Sequence, residues 1–179
     1  YNRFMNNNNA VKTVIGIISF NDKKYLEKTL PLISEIPGAK VIILDNAGND
    51  EIKEMIKGKY PKFTFLRHEK GNLGFSGGHN YILENSPGSQ YYFCLNPDIL
   101  LEKKTYESCI YHMENNSDTS MISAKLHYWD FDGDKKTEII DTAGIIGSRA
   151  HHFWDRGQGK KDEGQYDDTI NNIFGISGA

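Results

Sequence analysis

The sequence predicts an α/β protein with a doubly wound, mostly parallel sheet, helices on both faces and a small antiparallel extension. Three observations carry this. Apolar runs and amphipathic segments alternate as β-α-β-α-β-α-β up to Asp98, an order that calls for parallel strands joined by right-handed crossovers. The apolar runs lack polar alternation, as strands covered on both faces do. The run Tyr91-Tyr92-Phe93-Cys94-Leu95 stops abruptly in Asn96-Pro97-Asp98, which places polar groups just past the carboxyl end of a strand at the centre of the sheet.

Taken in order, residues 11–19 (V-K-T-V-I-G-I-I-S) are a β-branched first strand. Asn21 or Asp22 caps a helix whose apolar stripe is Leu26, Leu30 and Ile33, with a kink or break at Pro31. Pro37-Gly38 ends that unit, and residues 41–44 form a second strand tipped by Asp45-Asn46. Residues 49–57 are a short helix with Asp50 and Glu51 in its first turn, Ile52, Met55 and Ile56 on one face, and Gly58 as its stop. Residues 63–66 are a third strand. The segment Gly71-Asn72-Leu73-Gly74-Phe75-Ser76-Gly77-Gly78-His79-Asn80 opens a helix to about Asn85, with Phe75, His79, Ile82 and Leu83 facing the core and Ser76 and Asn80 sharing another side. After the strand ending at Asp98, residues 103–113 form a helix with Tyr106, Cys109, Ile110 and Met113 on one stripe. Residues 121–129 and 137–140 read as a hairpin turning at Asp132-Gly133. Residues 149–169 are rich in Gly, charge and aromatics without periodicity, and a loop of that length is usually functional or disordered. Residues 173–176 are a last apolar strand.

The 179 residues, 38% hydrophobic and 25% charged, suit one globular domain over residues 11–179 behind a disordered tail at 1–10. A net charge of −3 gives no field to recruit nucleic acid or an anionic membrane. Cys94 and Cys109 read as reduced core residues of a cytosolic protein. No apolar run is long enough to cross a bilayer. Tyr1 in place of Met and the run Asn6 to Asn9 suggest a processed or recombinant start, and an apolar strand followed at once by Ser177-Gly178-Ala179 suggests a fragment.

The polar tips Asn21, Asp45-Asn46 and Asn96-Pro97-Asp98 follow parallel strands, so they converge on one edge, where open α/β sheets bind ligands. Asp98 there is a natural cation ligand. Glycines before a helix let a backbone approach a diphosphate at the helix N-terminus. The segment is neither a dinucleotide fingerprint nor a P-loop, and a tight turn with close packing is the plainer explanation. Asp130-Phe131-Asp132-Gly133-Asp134 lacks the spacing of a calcium loop. His151-His152 are too close in sequence to share a metal, Trp154 reads as a loop anchor, and no Ser-His-Asp or Cys-His arrangement stands out.

Read together, Ser19-Phe20-Asn21, Leu44-Asp45-Asn46, the Asn72 to Asn80 segment, Leu95-Asn96-Pro97-Asp98, Asp155-Arg156-Gly157-Gln158 and Phe174 to Ala179 resemble glycosyltransferase family 2 catalytic domains, of GT-A fold, and especially rhamnosyltransferase-like members. The resemblance implies that Phe20, Asn21, Asp45 and Asn46 bind base and ribose, that Asn72, Gly74, Gly77 and Asn80 lie along the diphosphate, and that Asn96 and Asp98 stand in the Asp-x-Asp position. Asn96 replaces the first carboxylate, leaving Asp98 as the one metal ligand for Mg²⁺ or Mn²⁺.

The implied reaction is inverting, cation-assisted transfer of a sugar, L-rhamnose by the resemblance, from a dTDP- or UDP-sugar to a glycan or lipid-linked acceptor. The general base belongs, in that family, beyond the position of Ala179. Asp45 is expected to accept a hydrogen bond from the imide N–H of uracil or thymine. A cytoplasmic location at the inner membrane face, peripheral association through the acceptor, and self-association follow as expectations. Two other readings stay open: a non-catalytic nucleotide-sugar-binding domain, and a sugar-nucleotide pyrophosphorylase, although no basic Gly-rich loop follows the first strand.

Overall fold

The computed structural model describes residues 12–86, 88–167 and 173–178; the tail expected at 1–10 lies outside them. The chain divides into two compact units, one running to Lys103 and one from Lys104 to Gly178.

The first unit holds β1 (Thr13–Ser19), α1 (Lys23–Ser34), β2 (Ala39–Asp45), α2 (Asp50–Lys59), β3 (Thr64–Arg67), α3 (Gly74–Glu84) and β4 (Tyr91–Leu95). The strands form one all-parallel sheet in the order β3-β2-β1-β4. The chain steps outward from β1 through β2 to β3, then reverses to place β4 on the far side of β1. With right-handed crossovers, that reversal puts α3 on the face opposite α1 and α2. Strand β1 is buried on both sides, and its residues alternate between them. Val14 and Ile18 pack with Ile42, Leu44 and Ile82 in a cluster beneath α3, while Ile15, Ile17 and Ile43 are fully buried toward the other face.

The sequence placed β4 at the centre of the sheet; among the described strands it is an edge, paired with β1 alone. Its residues 91–94 are accordingly only half-buried, and Leu95 alone is sealed. The reversal of strand order nonetheless falls between β1 and β4, the place where open sheets leave a crevice at their carboxyl ends.

Three local expectations are corrected. Helix α1 runs on through Pro31 without a break. Proline there costs only the bond to Glu27, one turn before the helix ends. Gly58 lies inside α2, which stops at Tyr60; Asn49 caps its start, accepting from Glu51 N–H. On α3, His79 and Ile82 are buried as expected, but Phe75 and Leu83 are 48% and 42% exposed. Gly78 takes the core position instead, because the helix sits too close to the sheet for a side chain there: a Cβ would lie 2.7 Å from Ile18 Cδ1.

The second unit contains α4 (Lys103–Asn115, from its second residue), β5 (Leu126–Asp130), β6 (Lys135–Thr142), β7 (Ile145–Gly147) and β8 (Phe153–Asp155). The hairpin β5–β6 turns where Asp130 Oδ1 accepts from Gly133 N–H, as the sequence predicts, although residues 121–125 are not strand. The segment predicted to be unstructured pairs in part: β8 lies antiparallel to β7, and Ile139 bridges to Lys161. Residues 173–176 are not a buried strand. Gly175 makes a single bridge to Ile145, and Phe174 is 71% exposed. No helix among the described residues is long and apolar enough to cross a membrane.

Candidate functional site

All ten residues singled out from the sequence lie in the first unit, at the carboxyl ends of β1, β2 and β4 and in the entry to α3. Their states differ. Phe20, at the tip of β1, is 56% exposed. Asn21 follows with a left-handed φ of 65°, and its Oδ1 accepts from Asn49 Nδ2 at 3.3 Å, so the tips of β1 and β2 are tied together. Asn46 is buried and pins the entry of α3. Its Oδ1 accepts from Leu73 N–H and its Nδ2 donates to the Gly74 carbonyl. Asn72 Oδ1 accepts from Gly74 N–H at 2.7 Å. Asn46 is thus engaged in shaping the loop through both ends of its amide, and Asn72 joins in through its Oδ1 while the residue stays exposed.

The glycines separate in the same way. Gly74 has φ 67°, a conformation that favours glycine, and Gly78 is required by packing against Ile18 and Leu44. Gly77 has neither reason. A Cβ there would make one ordinary contact, to Leu73. Gly77 and the exposed Asn80 thus leave the outer side of the α3 entry open to a ligand. The N-cap residue Leu73 offers no side-chain cap; Asn72 takes the N–H of Gly74, the first of the helix, and the N–H groups of the first turn beyond it suit an anion.

At β4, Thr29 Oγ1 on α1 donates to the Pro97 carbonyl at 2.7 Å, and Ile99 N–H bonds the Asn96 carbonyl. The turn is held by backbone, and its side chains are left over. Asp98 is exposed and makes no hydrogen bond or ion pair with any described residue.

Asp45 is the opposite case. Its side chain is fully buried. Oδ1 accepts from the backbone N–H of Ala47 and Gly48, and Oδ2 accepts from Arg67 Nη2 at 2.7 Å and Nε at 3.1 Å. Arg67, the register partner of Asp45 on β3, also donates to Asp50 Oδ1 at 3.0 Å. Sequence reading missed Arg67. The available signal was its position, one residue past an apolar run in a strand beside β2.

A second feature that sequence reading missed is a part-buried Tyr-His-Cys cluster. Beneath the α3 entry, His79 Nδ1 lies 2.6 Å from the Tyr92 hydroxyl and Nε2 lies 3.1 Å from Cys94 Sγ. Tyr92 and Cys94 are two apart on β4 and so share the face that meets α3. Burial pushes the thiol and the phenol up and the imidazole down. All three groups are held neutral, which makes this a packing network and not an activated nucleophile.

Residues 14–177 match the family described as glycosyl transferase family 2. An uncharacterized glycosyltransferase of Methanocaldococcus jannaschii, MJ1057, is 26% identical over 131 residues, covering 68% of this chain and 44% of that protein; the chain thus spans under half of that relative. Among solved structures, the mannosyltransferase PcManGT from Pyrobaculum calidifontis, in complex with GDP-Man and Mn²⁺, aligns with a TM-score of 0.50 at 16% identity, over 59% of this chain and 33% of its own. Residues 1–349 of S. aureus TarS align with a TM-score of 0.49 at 13% identity, over 65% and 39%. At 16% identity the likeness to the mannosyltransferase bears on the fold alone, an α/β architecture of the GT-A type.

Proposed function

The chain belongs to glycosyl transferase family 2, and from that premise we propose that its first unit is the donor site of a sugar transferase. A nucleoside diphosphate sugar lies across the carboxyl edge, with its base near β1 and β2, its diphosphate along the α3 entry, and its sugar toward β4. The sugar passes to an acceptor hydroxyl with inversion. The observation that carries the reading is the state of Asp98. It is a carboxylate without any partner among the described residues, beside the reversal of strand order and on the same edge as the N-terminus of α3. Membership of this family speaks against the pyrophosphorylase reading.

Asp98 is the residue of this edge that would hold Mg²⁺ or Mn²⁺. Asp98 offers one hard oxygen ligand, and among the described residues no three His, Cys, Asp or Glu side chains gather into a metal site. Bound there, the ion would supply positive charge against the departing diphosphate. The presence of Mn²⁺ with GDP-Man in the Pyrobaculum mannosyltransferase supports the same pairing. The chain's own residues do the rest. Asn46 and Asn72 fix the α3 entry, Gly77 leaves room for the diphosphate, and the helix N-terminus offers N–H groups to it. No residue of this chain is assigned as the base that takes the acceptor's proton.

Asn96 in place of a first carboxylate makes dTDP-L-rhamnose the first donor to test, with a glycan or lipid-linked acceptor. A lipid-linked acceptor would bring the protein to the cytoplasmic face of a membrane. Calorimetry with UDP, dTDP and GDP, in Mn²⁺ and in EDTA, tests the site. Asp98→Ala should remove most of the cation dependence, while Asp130→Ala, which alters the hairpin of the second unit, should leave it intact. Equal affinity in EDTA would exclude the metal role, and no binding of any nucleotide would exclude the donor site.

A further inference from the structure

A base-reading carboxylate must have a lone pair to offer, and Asp45 has none left. A carboxylate accepts about four hydrogen bonds. The Asp45 oxygens already receive four, two from backbone N–H and two from Arg67. An imide N–H could enter only by displacing one of them inside a fully buried site, which corrects the expectation that Asp45 accepts it directly.

Arg67 is in the reverse position. A guanidinium carries five N–H donors in a rigid plane. Nε and one N–H of Nη2 go to Asp45, and one N–H of Nη1 goes to Asp50. Two remain, on a side chain 32% exposed at the carboxyl end of β3. Carboxylates on two sides hold the plane fixed, so a ligand beside β2 meets a pre-oriented donor and not an acceptor.

We infer that Arg67 selects the donor's base by its keto oxygen, favouring uracil, thymine or guanine over cytosine or adenine. The inference rests on the donor-site reading above. Uracil and thymine present O4 and guanine presents O6, which accept from the guanidinium. Cytosine and adenine present an amino group at the corresponding position, so donor would face donor. A hydrogen bond to a charged group, made for one base and lost for the other, corresponds to roughly ten- to hundredfold in affinity.

The experiment measures UDP against CDP, and GDP against ADP, by calorimetry in Mn²⁺ on the whole chain, for the wild type, Arg67→Met and Arg67→Lys, with a melting curve for each. The wild type should bind its preferred keto nucleotide at least about tenfold more tightly than the amino counterpart. Arg67→Met should bring the two within about threefold, and Arg67→Lys, which keeps a charge beside Asp45 without the forked donors, should fall between. If Arg67→Met does not fold, Arg67→Lys decides. Full discrimination in a folded variant, or none in the wild type, would overturn the role of Arg67 while leaving the donor site standing. Failure of the wild type to bind any nucleotide would overturn the donor site itself.

Discussion

Gly16 lies mid-strand in β1, where glycine costs backbone entropy and offers nothing to pack. Its reason is Tyr92. A Cβ at residue 16 would lie 2.6 Å from the ring Cζ and nearer still to the hydroxyl. The clash involves the head of a ring whose hydroxyl is bonded to His79, so Gly16→Ala must expel the ring or spread β1 from β4. Overpacking of this kind typically costs about 1–3 kcal/mol, and an imidazole nitrogen left without its partner in a buried site adds about 1–3 kcal/mol. Tyr92→Phe alone should cost about 1–2 kcal/mol, because it removes the hydrogen bond and keeps the ring. The two losses share one hydrogen bond, so the double variant should be less destabilised than the sum by about 1 kcal/mol. Urea denaturation of all four proteins gives the cycle. Strict additivity would mean that the Tyr92–His79 bond contributes nothing, and an unperturbed Gly16→Ala would mean that the approach of Tyr92 to β1 is not tight.

Two further predictions concern pH. Asp162 is held down to about 2 by Lys125 first, then by His127 and the Gly164 N–H. Its folded value lies below the usual 3.8, so the clasp stabilises the second unit above about pH 4 and is lost as pH falls toward 2. Asp162→Asn should therefore lower the melting temperature at pH 7 and make no difference near pH 2; a penalty independent of pH would exclude the ionic clasp. His79 is depressed below 6.5 by burial. The unfolded chain takes up a proton there before the folded one does, so stability falls as pH drops through 6.5. Replacing His79 with Gln should flatten that part of the profile relative to wild type, and an unchanged slope between pH 7 and 5 would place the titrating group elsewhere.

The parallel order, the hairpin and the edge that gathers the polar tips were legible because each depends on local signals. These are runs of β-branched residues, helical stripes between them, and Asp-Gly at a turn. What was not legible depends on neighbours distant in sequence. Nothing in Tyr91 to Leu95 says which strands flank it, so a continuous apolar run read as central is an edge among the described strands. Pro31 reads as a breaker unless the helix end is known to lie one turn away. His79, Tyr92 and Cys94 are separated by 13 and 15 residues and meet only when α3 is laid on β4. Gly78 stands in the same Gly-rich run as Gly74 and Gly77, and only the docked helix shows that packing alone explains it.

Asp45 and Asp98 show how far context outweighs residue type. The sequence spells both as a carboxylate closing an apolar strand. Asp45 is followed by Ala47 and Gly48, whose N–H groups turn back onto Oδ1, and β2 has β3 beside it to bring Arg67 onto Oδ2. No backbone N–H among the described residues turns back onto Asp98; the turn after β4 closes through its backbone instead, with Ile99 N–H on the Asn96 carbonyl. Strand β4 pairs with β1 alone among the described strands, so no cation arrives from a neighbour as Arg67 does for Asp45. A buried carboxylate without partners would be costly, and an exposed one is not, so each environment permits the state it imposes. A hard cation at the tip of β4 would therefore meet an unspent oxygen, while a ligand beside β2 would meet the donors of Arg67.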